Sequence, residues 1–490
     1  MAYHPISDVQ ENIIFSTNGN VVACYEVILP EIYSLSEKDF EDLHNIWFQA
    51  IKSLPAGTVI HKQDIYLKRS YSSEGLPCST YLAEATHQYF KGRSYIDHHC
   101  HLFFIFTGNK ALNRPKFINP FRQISKTVFN ELDENVKAFL NSVSDTISFI
   151  NNSRKIDPLP SRAESINKLT NNFFNGFNEG FDTDILLEKE HFNIGKNYFD
   201  VLAINSELCF GESVQSSKYN EKFTSDDFMF HQGFIDGLGL SFKENHIVNQ
   251  VLFLDDKLKW RKLLDKKVEE LKKSSNFGSQ NKLILGKIKD ILEQINADDT
   301  SRIIRGHLNI IFWDQEIKNL NTIASRIKTE FKELDIVPYY PRGAERKNYI
   351  LNSFCCFSSN FSDEDLYVTD LKHALCLFIN NTNYKSDPEG IIFNDREHNI
   401  PVIKDVWDEA KKRIKARNFA IFAPTGEGKS FLANNILRQY FESGVRLVII
   451  DLGGSYTKFA KLYPGKFTVL RYESGKSLGI NPFYTPDLSE

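Results

Sequence analysis

The sequence predicts a multidomain chain of mixed class, with α+β domains along most of its length and then an α/β unit built on a parallel strand–loop–helix–strand core. Three observations predict it. The chain has 490 residues, too many for one hydrophobic core when domains run to about 100–200 residues each. Strand-like and helix-like apolar periods alternate from the N-terminus to about residue 360. Beyond them a glycine-rich loop, Ala423 to Ser430, stands between a short apolar strand signal and an amphipathic helix signal.

The elements follow in chain order. Glu11 to Ser16 and Val21 to Leu29 are β-rich and flank Thr17-Asn18-Gly19-Asn20, where Asn-Gly between apolar runs signals a hairpin. Ser36 opens a helix to Leu54, with Phe40, Leu43, Trp47 and Ile51 at helical spacing and Asp39 placed to complete a capping start. Val59 to Arg69 reads as a strand, Ser79 to Phe90 as a helix and His101 to Thr107 as a further strand, completing an N-terminal α+β domain over residues 1–110. Residues 111–190 read as a helical segment, with Phe129, Leu132, Val136, Leu140 and Val143 on one face. A middle α+β domain spans 191–360, with strands at His246 to Leu254 and Ile303 to Trp313 and charged helices at Lys257 to Ser274 and Gln280 to Ala297. The last domain, 361–490, has a short strand at Ile400 to Lys404, a basic helix at Val406 to Arg417, a strand at Asn418 to Phe422, the loop, a helix from Lys429 to Ser443 and a strand from Val445 to Ile450 closing on Asp451. That order describes a βαβ unit.

Composition narrows the function classes. Hydrophobic residues make up 41% and charged residues 25%, ordinary for a globular protein, and the net charge of −4 leaves no global basic field to gather nucleic acid or acidic lipid. The lysines between 257 and 273 alternate with Asp265, Glu269 and Glu270, the pattern of a solvated helix face of mixed charge. Seven scattered cysteines, with no CxxC pair, point to reduced thiols and a cytoplasmic setting. The start, MAYHPISDVQENIIF, is not that of a signal peptide, and no run of about 18 apolar residues encodes a membrane span.

The chemistry concentrates in Ala423, Pro424, Thr425, Gly426, Glu427, Gly428, Lys429 and Ser430, followed by Phe431. This is a P-loop pattern, G-x-x-x-x-G-K-[ST], with alanine at the first position. Such a loop turns tightly enough to aim successive backbone N–H groups at phosphate oxygens. Gly426 and Gly428 permit torsions and a close approach that side chains would obstruct. A lysine at position 429 reaches the β- and γ-phosphates, and a serine at 430 supplies a hydroxyl to Mg²⁺. The predicted cofactors are therefore ATP and Mg²⁺, with Ser430 the metal ligand. Asp451 ends the next strand; it is a candidate for lining the nucleotide pocket, against a purely structural role for a strand-end acid. Leu452-Gly453-Gly454 follow it with no glutamate to orient a water, so it is read as the end of a neighbouring strand and not as the hydrolytic acid.

Two clusters invite other readings. Asp97-His98-His99-Cys100 spells the DHHC tetrapeptide of membrane palmitoyltransferases, without the membrane helices or cysteine-rich zinc domain those enzymes need. Neighbouring residues of a strand point to opposite faces, so His98 to His101 cannot converge on one ion, and Cys355-Cys356 fails by the same geometry.

Taken together, N-F-A-I-F-A-P-T-G-E-G-K-S, then V-I-I-D-L-G-G-S-Y, then Gly479-Ile480-Asn481-Pro482-Phe483 resemble the large ATPases of type IV secretion and conjugation systems. The stretch from His4-Pro5-Ile6 through the Asn-Gly hairpin to about Thr107 resembles the N-terminal domain of the TraG-family conjugative-transposon ATPases. The resemblance implies a RecA-like motor at the C-terminal end, ATP hydrolysis at the cytoplasmic base of a DNA-transfer channel, attachment to the inner membrane through other channel subunits, contact with DNA, and assembly as a homo-oligomer such as a hexamer. Lys429 and Ser430 take the family's phosphate and Mg²⁺ roles. A RecA-like motor also needs further parallel strands, a Walker B acid pair and an arginine finger. These are expected beyond Glu490, so the motor reads as incomplete and no catalytic residue is assigned. The alternatives are a catalytically incomplete assembly or docking protein of the same apparatus, and a DNA translocase of the coupling-protein type, a class that usually carries N-terminal membrane helices. A small-molecule kinase fits poorly with the long stretch before the loop.

Overall fold

The computed structural model describes residues 5–476 except 33, 74–80, 108–125, 179–184, 188–191, 212, 222–223, 227, 275–284, 287–288, 290–291, 294–301, 396–399 and 409–414. It divides into two compact units, one of Met1–Tyr71 with Arg93–Tyr384 and one of Ser72–Gly92 with Lys385–Glu490.

The first unit is organised by a twelve-stranded sheet. Its strands are β1 (Ile6–Gln10), β2 (Ile13–Ser16), β3 (Val21–Ile28), β4 (Thr58–Ser70), β5 (Ser94–Phe106), β6 (Asp157–Pro160), β7 (Ile185–Leu187), β8 (Phe192–Ile194), β9 (Asn197–Ile204), β12 (His246–Leu254), β13 (Ile303–Asp314) and β14 (Tyr367–Asp370), while β10 (Ser217–Tyr219) and β11 (His231–Gly233) form a separate hairpin. The order is β1-β2-β3-β5-β4-β12-β13-β9-β8-β7, with β14 beside β13 and β6 beside β3. Among the described residues the ladders of this sheet, β3 to β5, β5 to β4 and β4 to β12 among them, are antiparallel.

Local signals account for much of this. The Asn18-Gly19 turn joins β2 to β3, and Gly19 sits at φ +89°, a torsion side chains resist. Strand β1 is an addition to the expected hairpin: the chain reverses at Glu11-Asn12, where Glu11 takes φ +55°, so the expected strand from Glu11 starts at Ile13. Helix α1 (Glu37–Lys52) opens with a capping box in which Ser36 and Asp39 each accept from the other's backbone N–H. The side-chain and backbone bonds from Ser36, with help from Lys155, pull the Asp39 carboxyl down to about 2.

The expected domains over 1–110 and 191–360 contribute strands to one sheet. Strand β4 pairs with β5 from Thr58↔Phe106 to Ser70↔Ser94 on one side and with β12 from Phe253↔Val59 to His246↔Tyr66 on the other. Alternation along the strands then feeds two cores. Val22, Cys24 and Phe103 face α4 (Ala163–Phe174), whereas Ala23, Tyr25 and Phe104 face α1, α3 (Lys126–Asn152) and α8 (Leu371–Leu375). A third core packs Leu308, Ile310 and Phe312 of β13 under α6 (Ile317–Glu333).

The middle of β4 is polar and yet fully buried. Lys62 Nζ lies 2.5 Å from Asp64 Oδ2, and His98 Nε2 lies 3.1 Å from Asp64 Oδ1, with none of the three side chains exposed. Burial alone would raise the Asp64 carboxyl, but Lys62 and His98 outweigh it and hold it below its ordinary range. On the opposite face His61 Nε2 and Gln63 Nε2 meet Asn249 Oδ1 at 3.0 and 2.8 Å, and Asn249 donates onward to Asn309 at 2.9 Å. Buried in this network, His61 falls to about 4 and is neutral at physiological pH. His98 is thus a core residue, while His99 on the other face of β5 is half-exposed and meets Asp97.

In the second unit the expected parallel core is not formed. Residues 418–422 and 445–450 make no β-ladder, and the paired strands there are the antiparallel hairpin β15 (Ile391–Asn394) and β16 (Pro401–Lys404). Phe422, Val448 and Ile450 are 91%, 94% and 89% exposed. Apolar character supplies the propensity for a strand, but a strand also needs a neighbour to satisfy its backbone, and no described segment supplies one. Much of the expected basic helix at 406–417 and the Gly479 to Phe483 motif lie outside the described residues.

Candidate nucleotide-binding site

The loop at 423–430 leads into helix α9 (Lys429–Glu442), whose N-cap is Gly428 at φ +84°. Gly426 is also left-handed, at φ +95°. An added Cβ would meet nothing within 4 Å at either position, so the torsion and not crowding is what calls for glycine. The first intrahelical bond, Leu432 N to Gly428 O, is 2.9 Å long. The amides of the turn before it have no acceptor within the helix, and they present donors and the positive end of the helix dipole to whatever sits on the loop.

Lys429 spans this loop. Its Nζ donates to the carbonyl of Pro424 at 2.8 Å and to that of Ala423. The ammonium is therefore held by two carbonyl dipoles of the loop and by no carboxylate in these bonds. Pro424, Thr425, Glu427 and Ser430 are exposed, and Ala423 and Lys429 are half-buried. The sequence places Phe431, Leu432, Ile436, Leu437, Tyr440 and Phe441 on one buried face of α9; Ile436 is buried, whereas Phe431 is 82% exposed. The missing face follows from the missing strands at 418–422 and 445–450, against which it would have packed.

Asp451 is committed to its own loop. Its carboxylate accepts from the backbone N–H groups of Gly453 and Tyr456, each at 3.0 Å, and these amides, Tyr456 foremost, lower its pKa. The loop nonetheless lies beside the first turn of α9, because Asn434 Nδ2 reaches both Ser430 O at 2.8 Å and Ser455 O at 3.5 Å.

Sequence reasoning missed the residues that hold α9 in place. Gln439 pairs with the backbone of Ile392 in both directions, donating to its carbonyl at 3.0 Å and accepting from its N–H at 2.7 Å, and so pins β15 to the helix. Arg438 meets Glu442 at 2.6 Å, and Tyr463 donates to the same carboxylate at 2.8 Å. Trp407 packs edge-on to Tyr440 with the Arg417 guanidinium 5.2 Å from its ring. Only the i,i+4 spacing of Arg438 and Glu442 was a signal available in the sequence.

The donor set fits a nucleotide phosphate: a loop with two left-handed glycines, a lysine across it, a serine hydroxyl next in chain and the head of a fourteen-residue helix behind it. These features define a P-loop nucleotide-binding domain. Comparison with known families carries the assignment further. Residues 390–490 match the model of the TraG P-loop domain, and residues 2–45 match a model described as a domain of unknown function, B. Theta Gene description (DUF3875). The C-terminal segment thus matches a TraG P-loop domain, a finding that supports a TraG-family protein. No curated protein matches the chain. Among the described residues no helix is long and apolar enough to cross a membrane.

Proposed function

We propose that this protein is the ATP-binding subunit of a conjugative DNA-transfer apparatus of the type IV secretion kind. The observation that carries the proposal is the geometry at 423–430, two left-handed glycines and a loop-spanning Lys429 at the head of α9, within a segment matching the TraG P-loop domain. In this reading residues 361–490 belong to a RecA-like fold. The amides from Gly426 to Phe431 and the Lys429 ammonium receive the β- and γ-phosphates, and Ser430 holds Mg²⁺, which when bound offsets phosphate charge. The sheet unit docks on other subunits of the channel at the cytoplasmic face of the inner membrane. The chain works as a homo-oligomer, a hexamer in the fullest form of this reading, and energises channel assembly or movement of the DNA substrate.

A second reading is a docking protein of the same apparatus that binds ATP without turning it over: the acid beside the loop, Asp451, is held within its own loop by the amides of Gly453 and Tyr456 and is not read as the hydrolytic acid. Equilibrium dialysis of the full chain against labelled ATP tests the first proposal. Saturable binding that weakens on Mg²⁺ chelation is expected, and its absence overturns the nucleotide reading. Phosphate release by the same sample then separates the two: steady turnover supports the motor, and binding without turnover supports the docking protein.

A further inference from the structure

The connection between β4 and β5 does not stay with the sheet. Ser70 and Ser94 are paired, and Tyr71 N donates to Arg93 O at 2.7 Å, so the connection leaves and returns at neighbouring points of the hairpin. Between them, residues 72–92 belong to the compact unit that holds the P-loop. The helix they carry, α2 (Tyr81–Phe90), buries His87 and Phe90 at 2% exposure each and leaves Tyr81 and Tyr89 at 82% and 64%.

Helix α2 lines a cleft of about 1400 Å³ whose other walls include one face of α9. The lining positions on α9, among them Phe431, Asn435, Arg438 and Glu442, recur at helical spacing and run from the first turn after Lys429 to the last. The cleft is open to solvent and large enough for a helix face to move into it. The two helices thus line different walls of one cleft. The last turns of α9 are fixed by Gln439 to Ile392 and by Glu442 to Tyr463, whereas its first turn, which carries Lys429 and Ser430, has the single Asn434 side chain as its tie to the 451–456 loop.

We propose that α2 is a strap whose seating against α9 sets the affinity of the P-loop for nucleotide, so that ATP binding and the β4–β5 hairpin are coupled through the chain itself. The occupant of the cleft is α2, closing on the face it already lines. The coupling rests on the nucleotide reading above; the strap does not. Reciprocity requires that if seated α2 changes ATP affinity, ATP must in turn change the seating of α2.

Hydrogen exchange on the full chain tests both parts. Without nucleotide, Phe90→Asp is expected to speed exchange of the α9 amides at least tenfold and leave β12 and β13 unchanged, and Tyr81→Ala, on the exposed side of α2, is expected to leave α9, β12 and β13 all unchanged. Mg-ATP is expected to slow exchange in residues 81–90 of the wild type, and Phe90→Asp to shift the Mg-ATP Kd at least fivefold. Should Phe90→Asp disturb the sheet as well, a chain with residues 81–90 replaced by ten glycine and serine residues provides the same comparison. Unchanged α9 exchange in both variants overturns the strap. Faster exchange with an unchanged Kd overturns the coupling. If the wild type binds no Mg-ATP, the nucleotide reading fails with the coupling that depends on it, and the α9 exchange result still decides the strap.

Discussion

Two lysines summarise the difference between the two units. Lys62 lies in the middle of the sheet with no exposed side-chain surface and an Asp64 carboxylate 2.5 Å away. Lys429 lies half-buried on a loop, held by the carbonyls of Ala423 and Pro424. A buried ammonium is tolerable only when a fixed anion and hydrogen bonds replace its water, so Lys62 is already neutralised. Carbonyl dipoles orient the Lys429 ammonium without supplying an anion. The first arrangement specifies a structure and the second is open to an anionic ligand. Burial and partner, not residue type, separate the two roles.

That contrast can be broken at its strongest point first. Lys62→Met leaves the Asp64 carboxylate buried with the His98 imidazole still 3.1 Å away but without its ammonium partner, and loss of one partner of a buried pair costs about 3–5 kcal/mol. Urea unfolding of the full chain is expected to show that loss in the sheet unit, and a stability unchanged from wild type would remove the buried pair from the account. Asp236, in the turn over the same polar layer, sharpens the comparison from the opposite direction. Its carboxyl accepts from Gly233 N at 2.6 Å and from Asn381, but burial dominates and raises it to about 6. A carboxyl raised on folding contributes stability below its unfolded value, and that stability is lost as pH rises through about 6. Asp236→Asn is therefore expected to stabilise the chain at pH 8, by up to about 3 kcal/mol, and to have little effect at pH 4. Melting curves at the two pH values check the sign. The smallest effect belongs to the loop: Gly428→Ala keeps the open space but not the left-handed torsion, at a cost of about 1–2 kcal/mol. It is expected to weaken Mg-ATP binding by roughly tenfold while leaving the sheet unit's unfolding midpoint in place.

The sequence made legible what is local. The Asn18-Gly19 hairpin, the Ser36–Asp39 capping box and the strands at 59–69, 246–254 and 303–313 rest on turn chemistry and apolar period, which neighbouring residues carry. The loop at 423–430 is legible for the same reason: its torsions and its lysine are set within eight residues. Illegible were features that depend on distant partners. Strand β4 meets β12 across a long stretch of chain, and the burial of the polar run His61-Lys62-Gln63-Asp64 depends on Asn249, Asn309 and His98 placed beside it. The segments 418–422 and 445–450 show the converse. Their apolar residues read as strands, but without a described neighbour they form no ladder and leave Phe422, Val448 and Ile450 in solvent. Asp451 likewise could be placed by sequence at the end of a strand, while the amides that claim its carboxylate depended on how the following glycines turn.

The most direct test of the central claim is the Mg-ATP dissociation constant of Lys429→Ala, measured beside the wild-type full chain with unfolding midpoints for both. A hydrogen bond to a charged group contributes about 1.5–3 kcal/mol, which corresponds to a loss of affinity of roughly ten- to a hundredfold. The account predicts that loss with the sheet unit's midpoint unchanged. Equal affinity in the two proteins would contradict it, and Lys429 would then be a loop-closing residue, as structural in its role as Lys62.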